Sequence, residues 1–370
     1  MKIDFVKRHI SPKEQEFVLD ALQQKFIHNG GKYIDLCCKH LSNIYPQSAC
    51  CITSTGFNAI YMSLLLIGIN AGDEVLLSAY SCTAALNCVM LLGATPILCG
   101  VDNTGCITKE NIIAATTPHT KAVIVNHHGG YCCEIDEIAA YCKKAGIVLI
   151  EDCATAFGSI FKGRRLGSFG EFAIFSFNDK KDLCSGEGGA LLINSVEYAC
   201  RMEPIVNNGL IRKDGVPHWV GVGFSNKVSD IVGAVLYAQL LDSERLIGIK
   251  QNITKQYRRG LMPILNHGIS YPHEIEGSQP NGNTFYLLFK NEQQKSRLKN
   301  YLLEQGVITL SHYGTLDNGK IKLVCVGDTC NGKQFDERML RLPVYTALTD
   351  AEIEFIIEKI NYFCSTELKG

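Results

Sequence analysis

Phe175-Ser176-Phe177-Asn178-Asp179-Lys180-Lys181-Asp182-Leu183-Cys184-Ser185-Gly186-Glu187-Gly188-Gly189 is the stretch on which the reading of this chain turns. An apolar strand runs into a polar loop with two adjacent lysines, and a glycine-rich turn leads to a second strand at Ala190. Glycines let a backbone approach a ligand closely or adopt positive φ. A lysine in such a place, once burial lowers its pKa, becomes a nucleophile able to form a Schiff base. An exposed lysine pair on a hairpin is the ordinary alternative for the segment taken alone.

Working outward, the region from residue 50 to about 195 alternates helical and strand patterns. Helical spacing covers Phe57–Ile69, Ala84–Leu92, Lys109–Ala115 and Glu134–Ala145. Short apolar runs between them predict strands at Glu74–Ser78, Thr95–Cys99, Ala122–Val125 and Ile147–Ile150, with two more near Ala173–Phe177 and Ala190–Asn194. Nearly all-apolar strands separated by helices predict a mainly parallel sheet covered on both faces. Ligands of such sheets sit beyond the carboxyl ends of the strands. A long helical pattern, Ser229–Arg245, leads out of this region. The remainder, with strands expected at Thr284–Phe289 and Ile308–Leu310 and a closing helix at Asp350–Phe363, reads as a smaller α+β unit. The expected division is therefore residues 1–245 and 246–370.

Composition excludes several classes. The 370 residues are 46% hydrophobic and 20% charged with a formal net charge of −1, so no global field favours nucleic acid or an anionic membrane surface. The amino-terminal residues lack the apolar stretch of a signal peptide, and no window approaches a membrane span. The 17 cysteines include the adjacent pairs Cys37-Cys38, Cys50-Cys51 and Cys132-Cys133 but no zinc-type C-x-x-C. They read as small apolar residues of a reduced, cytoplasmic protein.

Three further features stand at strand ends or helix starts. Ser54-Thr55-Gly56-Phe57-Asn58 precedes a helix, where free N–H groups and the helix dipole suit a phosphate or serve simple capping. Glu151-Asp152 closes an apolar strand, a costly place for an acid unless a cation or hydrogen-bond donors meet it. The partner could be a protonated pyridine nitrogen, a lysine, an arginine or a metal ion. His127-His128-Gly129-Gly130 follows another strand. Adjacent histidines on extended backbone point to opposite sides and chelate one metal poorly, so no metal site is expected. Phosphate turn, acidic strand end, then a lysine at position 181 is the order that pyridoxal 5′-phosphate (PLP) chemistry needs: a phosphate anchor, an acid for the ring nitrogen and an amine for the covalent link.

These residues resemble the DegT/StrS family of sugar aminotransferases, members of PLP fold type I. The family's S-F-x-x-x-K-x-L-x-x-G-E-G-G matches Ser176-Phe177 through Lys181, Leu183 and Gly186–Gly189. Its E-D-x-A matches Glu151-Asp152-Cys153-Ala154, its A-G-D-E-V matches Ala71–Val75, and its carboxy-terminal L-x-L-P pattern matches Leu340–Tyr345. The resemblance implies an aspartate aminotransferase-like α/β fold with a homodimeric active site. It implies Lys181 as the Schiff-base lysine, Asp152 at the pyridine nitrogen, Ser176 with Gly56 and Phe57 at the phosphate, and Ser225 or Asn226 reaching the neighbouring subunit's cofactor. Thr155 stands where the family often has glutamine, Cys82 where an aromatic residue commonly stacks on the ring, and Phe57 where threonine is usual. The implied reaction passes an amino group from a donor, glutamate being usual in the family, to a nucleotide-linked keto-sugar. Similarity around Asn29–Tyr33 and His127–Asp136 points to a dTDP-linked 4-keto-6-deoxyhexose; amination at C3 or on a UDP-linked sugar is the alternative. Lys32, Tyr33, His127 and Tyr313 are the expected substrate contacts, with Arg212 and Lys213 as further candidates for the pyrophosphate. Sugar dehydratases of the family carry histidine at the lysine position, which Lys181 argues against.

Overall fold

In the computed structural model, which describes residues 2–28, 30–46, 48–314, 316, 323–326 and 331–368, alternating apolar segments build one twisted sheet. Its strands in chain order are β1 Ala49–Thr53, β2 Glu74–Ser78, β3 Thr95–Cys99, β4 Thr120–Asn126, β5 Val148–Asp152, β6 Phe172–Ser176 and β7 Gly189–Ile193. A separate small pair comprises β8 Phe285–Leu288 and β10 Met339–Leu342, and β9 Val324–Val326 returns to the large sheet. The large-sheet order is β1-β7-β6-β5-β4-β2-β3-β9, with β7 antiparallel to both of its neighbours and the other pairings parallel. Order reverses between β4 and β2. Their carboxyl ends therefore open the crevice where such sheets bind ligands.

The strands are apolar on both faces because both are covered. Leu76, Val123, Val125 and Leu149 join a core under the helices α2 (Lys32–Ile44) and α6 (Ile135–Ala145). Val75, Leu77, Ile124 and Ile150 join the opposite core under α3 (Gly56–Ile67) and α4 (Thr83–Leu91). Each such buried Ile or Leu contributes about 1.5–3 kcal/mol. A third core, built around Phe285, Leu287, Leu298, Leu340, Ile353 and Ile356, lies under the helices Glu292–Glu304 and Asp350–Glu367.

Two differences from the sequence reading have physical causes. The helix expected over Ser229–Arg245 is Asp230–Gly260, so the expected division at 245/246 falls inside a continuous helix. Its first half buries Leu236, Leu240 and Leu246 in the first core, and its second half buries Ile253 and Tyr257 in the third. The apolar pattern passes from one core to the next without a break in the backbone. Secondly, β9 comes from the carboxy-terminal part of the chain yet pairs with β3, giving that edge a ladder partner. The expected strand at Ile308–Leu310 is reduced to a single bridge between Leu310 and Arg341.

The Lys32 and Tyr33 segment is helical, and the reason lies far away in sequence. Asp230 is fully buried, and its Oδ1 accepts the N–H groups of Tyr33 at 2.8 Å and Ile34 at 2.9 Å. It caps a helix to which it does not belong. A side chain on Gly31 would place a Cβ 2.4 Å from Asp230 Cγ, so glycine is needed for that approach. Asp230→Ala leaves two first-turn donors unpaired in the interior and is expected to cost about 2 kcal/mol, read as a lower urea midpoint with an unchanged m-value.

Candidate active site

The carboxyl ends of β4, β5 and β6 and the segment after β2 meet at one inner cavity. It is lined by Gly56, Phe57, Cys82, Asn126, Asp152, Thr155, Ser176, Asn178, Lys181 and Tyr313, among others. A second, outer cavity of about 430 Å³ shares Cys82, Thr155, Asn178, Lys181 and Tyr313 with it. Lys181 thus stands where the two meet. Residues separated by 125 positions, from Gly56 to Lys181, converge because each follows or precedes an element of the same sheet layer.

Strand alternation divides the acidic pair. Glu151 turns into the protein, where Oε2 accepts from Gly167 N–H at 2.8 Å and contacts His127 Nε2 at 3.0 Å. Its Oε1 accepts from Phe169 N–H at 2.6 Å and Gly170 N–H at 2.8 Å. Both side chains are fully buried. Asp152 turns the other way, into the inner cavity, with Oδ1 accepting from Ala154 N–H at 3.0 Å. The pairing that the sequence leaves open is therefore different for each acid. His127, Glu151 and Cys153 bring three potential ligand atoms within 4.8 Å of one another. The amide donors already surrounding Glu151 occupy the carboxylate and repel a cation.

Lys181 is held by the loop around it. Its N–H donates to Asn178 O at 2.9 Å, and Phe177 N–H donates to Gly188 O at 2.9 Å. Asp182 ties the loop to the long helix through Lys250 and to the segment before β8 through Asn281 at 3.0 Å and Asn283 at 2.9 Å. Burial pushes the Lys181 amine below the usual lysine range, while Asp152 and Cys82 pull it back up and Arg341 pushes it further down. Burial likewise raises the Asp152 carboxyl, opposed by Ala154 N–H and by the charges of Lys181 and His127.

The turn at Ser54–Asn58 meets Ser176. A Cβ on Gly56 would lie 3.0 Å from Ser176 Cβ and 3.3 Å from its Oγ, so glycine brings the amino-terminal turn of α3 against that hydroxyl. Gly189 is equally constrained, since a Cβ there would fall 2.6 Å from Thr53 Oγ1 and from the Thr55 carbonyl. Asn58 N–H is capped by Thr55 Oγ1 at 3.1 Å, and the N–H groups of Gly56 and Phe57, which have no helical partner, form with the serine hydroxyl a cradle suited to a phosphate. Asp152, half-buried and, among the described residues, without a cation in contact, suits a protonated ring nitrogen. Lys181 offers a deprotonatable amine between the two cavities. The residues fit PLP.

Other expected contacts lie elsewhere. His127 is locked against Glu151 and lines neither cavity. Lys32 is exposed and paired with Asp20 at 2.7 Å, while Tyr33 is buried against Phe17 and Tyr237; Asn29 is outside the described residues. Asn226 is 1% exposed, and its Oδ1 accepts from Ser54 N–H and Oγ and from Asn58 Nδ2, so it braces the turn of its own chain. Ser225 is exposed beside it. Arg212 lies on an exposed hairpin, Leu210–Lys213 with Val216–Trp219, and lines a separate pocket with Lys227. Lys213 is exposed on the same hairpin. Thr155 lines both cavities, but its hydroxyl already donates to His127 O and accepts from Gly129 N–H, each at 3.1 Å. It pins the loop after β4. Sequence reasoning passed over Asn126 and Asn178, though Asn126 ends β4 and Asn178 follows β6 by two residues, where the parallel-sheet rule directs attention. It also passed over His312 and Arg341 in the outer cavity, the latter inside a motif read only for its pattern.

Lysine, acid and phosphate cradle together, on this sheet order, are the equipment of a PLP enzyme, and the chain is an aminotransferase. It belongs to the DegT/DnrJ/EryC1/StrS aminotransferase family, whose sequence pattern matches residues 8–361, and its cofactor is pyridoxal 5′-phosphate. A GDP-perosamine synthase of Escherichia coli O157:H7 is 27% identical over 360 residues, covering 96% of this chain and 97% of that protein. A dTDP-4-dehydro-2,3,6-trideoxy-D-glucose 4-aminotransferase of Saccharopolyspora spinosa is 28% identical, covering 86% of this chain and 85% of the relative. The PLP form of a sugar aminotransferase from Streptococcus pneumoniae superposes with a TM-score of 0.88 at 21% identity, over 100% of both chains.

The sign of the Asp152 effect on Lys181 can be checked. The carboxylate favours the ammonium, so Asp152→Asn should move the Lys181 titration further below the ordinary lysine value. In cofactor-free protein, arylation of Lys181 by trinitrobenzenesulfonate, followed by peptide mass mapping across pH, should show its midpoint at lower pH in Asp152→Asn than in the parent.

Proposed function

We propose that this aminotransferase moves an amino group from an amino-acid donor, glutamate in the first instance, to C4 of a nucleotide-linked 4-keto-6-deoxyhexose. The observation that carries the reading is the half-buried Lys181 amine at the junction of two cavities, with Asp152 in the inner one. Bound PLP supplies an electron-poor ring that takes up the electron pair left when a carbon next to a bound amine loses its proton. In this reading Asp152 holds the proton on the ring nitrogen, and the first turn of α3 with Ser176 holds the phosphate. Lys181 Nζ carries the covalent link and, when free, takes the proton from the donor carbon and returns a proton at the second site. Cys82 and Tyr313 wall the space around the ring.

The sugar is read at C4 because the S. spinosa relative is named for amination there. The nucleotide is dTDP by that name and GDP by the name of the E. coli relative. The loops on which the sequence preference for dTDP rested put Lys32, Tyr33 and His127 outside both cavities of their own chain, so they add nothing to the choice. Assembly as a homodimer is part of the proposal. Trp219 at 70% and Val222 at 84% exposure leave an apolar surface uncovered next to Ser225, consistent with a second copy there. A cytoplasmic setting suits the cysteines, most of which, among the described residues, are buried like small apolar side chains; none of the described helices is long and apolar enough to cross a membrane.

Enzyme loaded with PLP should show an absorption band that borohydride abolishes, with the label recovered on the peptide containing Lys181. Lys181→Ala should lower turnover by at least about 10³-fold. With glutamate present, a panel of dTDP-, GDP- and UDP-linked 4-keto-6-deoxyhexoses should yield a 4-amino sugar from the dTDP or the GDP member. Undiminished turnover in Lys181→Ala would refute the assignment.

A further inference from the structure

Two of the adjacent cysteine pairs face each other where α2 packs on β1. Along β1 the two-residue period sends neighbouring side chains to opposite faces. Cys50 therefore packs against the core beneath α2, and Cys51 against the opposite core under α3. On α2 the turn of the helix separates the other pair. Cys37 is fully buried and donates from Sγ to Gly233 O of the long helix at 3.3 Å, whereas Cys38 packs against the same core as Cys50. Cys38 Sγ donates to Cys50 O at 3.6 Å, so its sulfur rests on the peptide from which the Cys50 side chain projects. Cys51 Sγ turns instead to Ile52 O, at 3.7 Å. Cys38 and Cys50 are both half-buried, and neither borders the inner or the outer cavity.

The two thiols are unequal. The Cys50 thiol, as donor, pulls the Cys38 thiol below the usual thiol range; burial opposes this, the Ile52 N–H adds to it, and Asp35, one turn earlier on α2, resists it. The same bond, together with burial, holds the Cys50 thiol well above that range. Such a pair has one sulfur ready to attack and one kept as a thiol until a mixed disulfide forms beside it. Among the described residues no third His, Cys, Asp or Glu joins them at ligand distance, so a zinc-type site is not formed. We propose that Cys38 and Cys50 are a modification site, forming a reversible disulfide within one chain when the protein meets a low-molecular-weight disulfide such as oxidised glutathione. The Cys38 thiolate attacks one sulfur of that disulfide, forming a mixed disulfide and releasing the first glutathione as a thiolate. The Cys50 thiol gives its proton to the released thiolate and attacks Cys38 Sγ, and the second glutathione leaves as a thiolate that takes a proton from solvent. The protein thiols are oxidised to a disulfide, and the oxidised glutathione is reduced to its thiol form. The bridge ties α2 to β1, the strand that leads into the turn at Ser54–Asn58.

PLP-loaded enzyme treated with oxidised glutathione, then alkylated and digested without reduction, tests this by peptide mass mapping. Lys39 lies between the two cysteines, so trypsin leaves them on separate peptides joined only by the bridge. The expected product joins the peptide of Cys38 to that of Cys50, its fragment ions place the bond at those positions, and dithiothreitol reverses it. The chain should still run as a monomer on a non-reducing denaturing gel. Cys50→Ser should stop at a glutathione adduct on Cys38, and Cys38→Ser should form no bridge at Cys50. Cys37→Ser and Cys51→Ser should bridge as the parent does. A parent-like circular dichroism spectrum shows that each variant is folded; where a serine variant loses it, the alanine variant gives the reading. Cys200 is exposed and reports that the reagent has acted. Glutathione on Cys200 with Cys38 and Cys50 unlinked overturns the proposal, as does a bond within either adjacent pair or between two chains.

Discussion

Everything at the site depends on the two-residue period of a β-strand as it reaches the end of β5. Consecutive side chains must leave opposite faces, so two neighbouring acids cannot share an environment. One face offers a closed ring of amide donors from the loop 167–170 and a histidine, and these hold Glu151 there. The other opens on the cavity, and Asp152 accepts from a single amide, while the charge of Lys181, whose amine burial pushes toward neutrality, acts on it through space. Glu151 also fixes the loop that runs into β6, and so the register from which the Lys181 loop departs. A slip of one residue in β5 would exchange the two acids and remove both the anchor and the cavity's negative charge.

The lysine loop is braced from three directions. Asp182 draws together the loop, the helix Asp230–Gly260 and the segment 281–283, and Asn281 in turn donates to the carbonyls of Thr155 and Phe157. The turn that faces Ser176 is supported from behind by Asn226. Polar groups buried this deeply must be satisfied, and here each bond also fixes the position of a group bordering the cavity.

The sheet was legible in the sequence because its signal is local. Short apolar runs such as Leu76-Leu77 or Val123-Ile124-Val125, bounded by turns and alternating with helical patterns, read as strands covered on both faces, and the structure places them within a residue or two of expectation. Lys181, Asp152, Ser176, Gly56 and Phe57 carried a second local signal, their order along the chain, and they do line one cavity. What the sequence could not reveal depends on partners distant along it. Nothing near Tyr33 announces that Asp230 will cap its helix, and nothing near Asn226 announces that it will turn inward. His127 looked available because its partner, Glu151, was read together with Asp152. Arg341 sat inside a recognisable pattern, but only the fold reveals that, among the described residues, no carboxylate pairs with it.

The helix Asp230–Gly260 enters two hydrophobic cores in succession, and the outer cavity takes Lys181 from one side and Arg341 from the other. A rod common to both bodies leaves them little freedom to slide or part, and confines any relative motion to flexing or rolling about its axis. Denaturing one body would strip half the rod of its apolar contacts and weaken the other. Heat should therefore collapse the molecule in one cooperative event, and the reacting groups should vanish together with the whole fold.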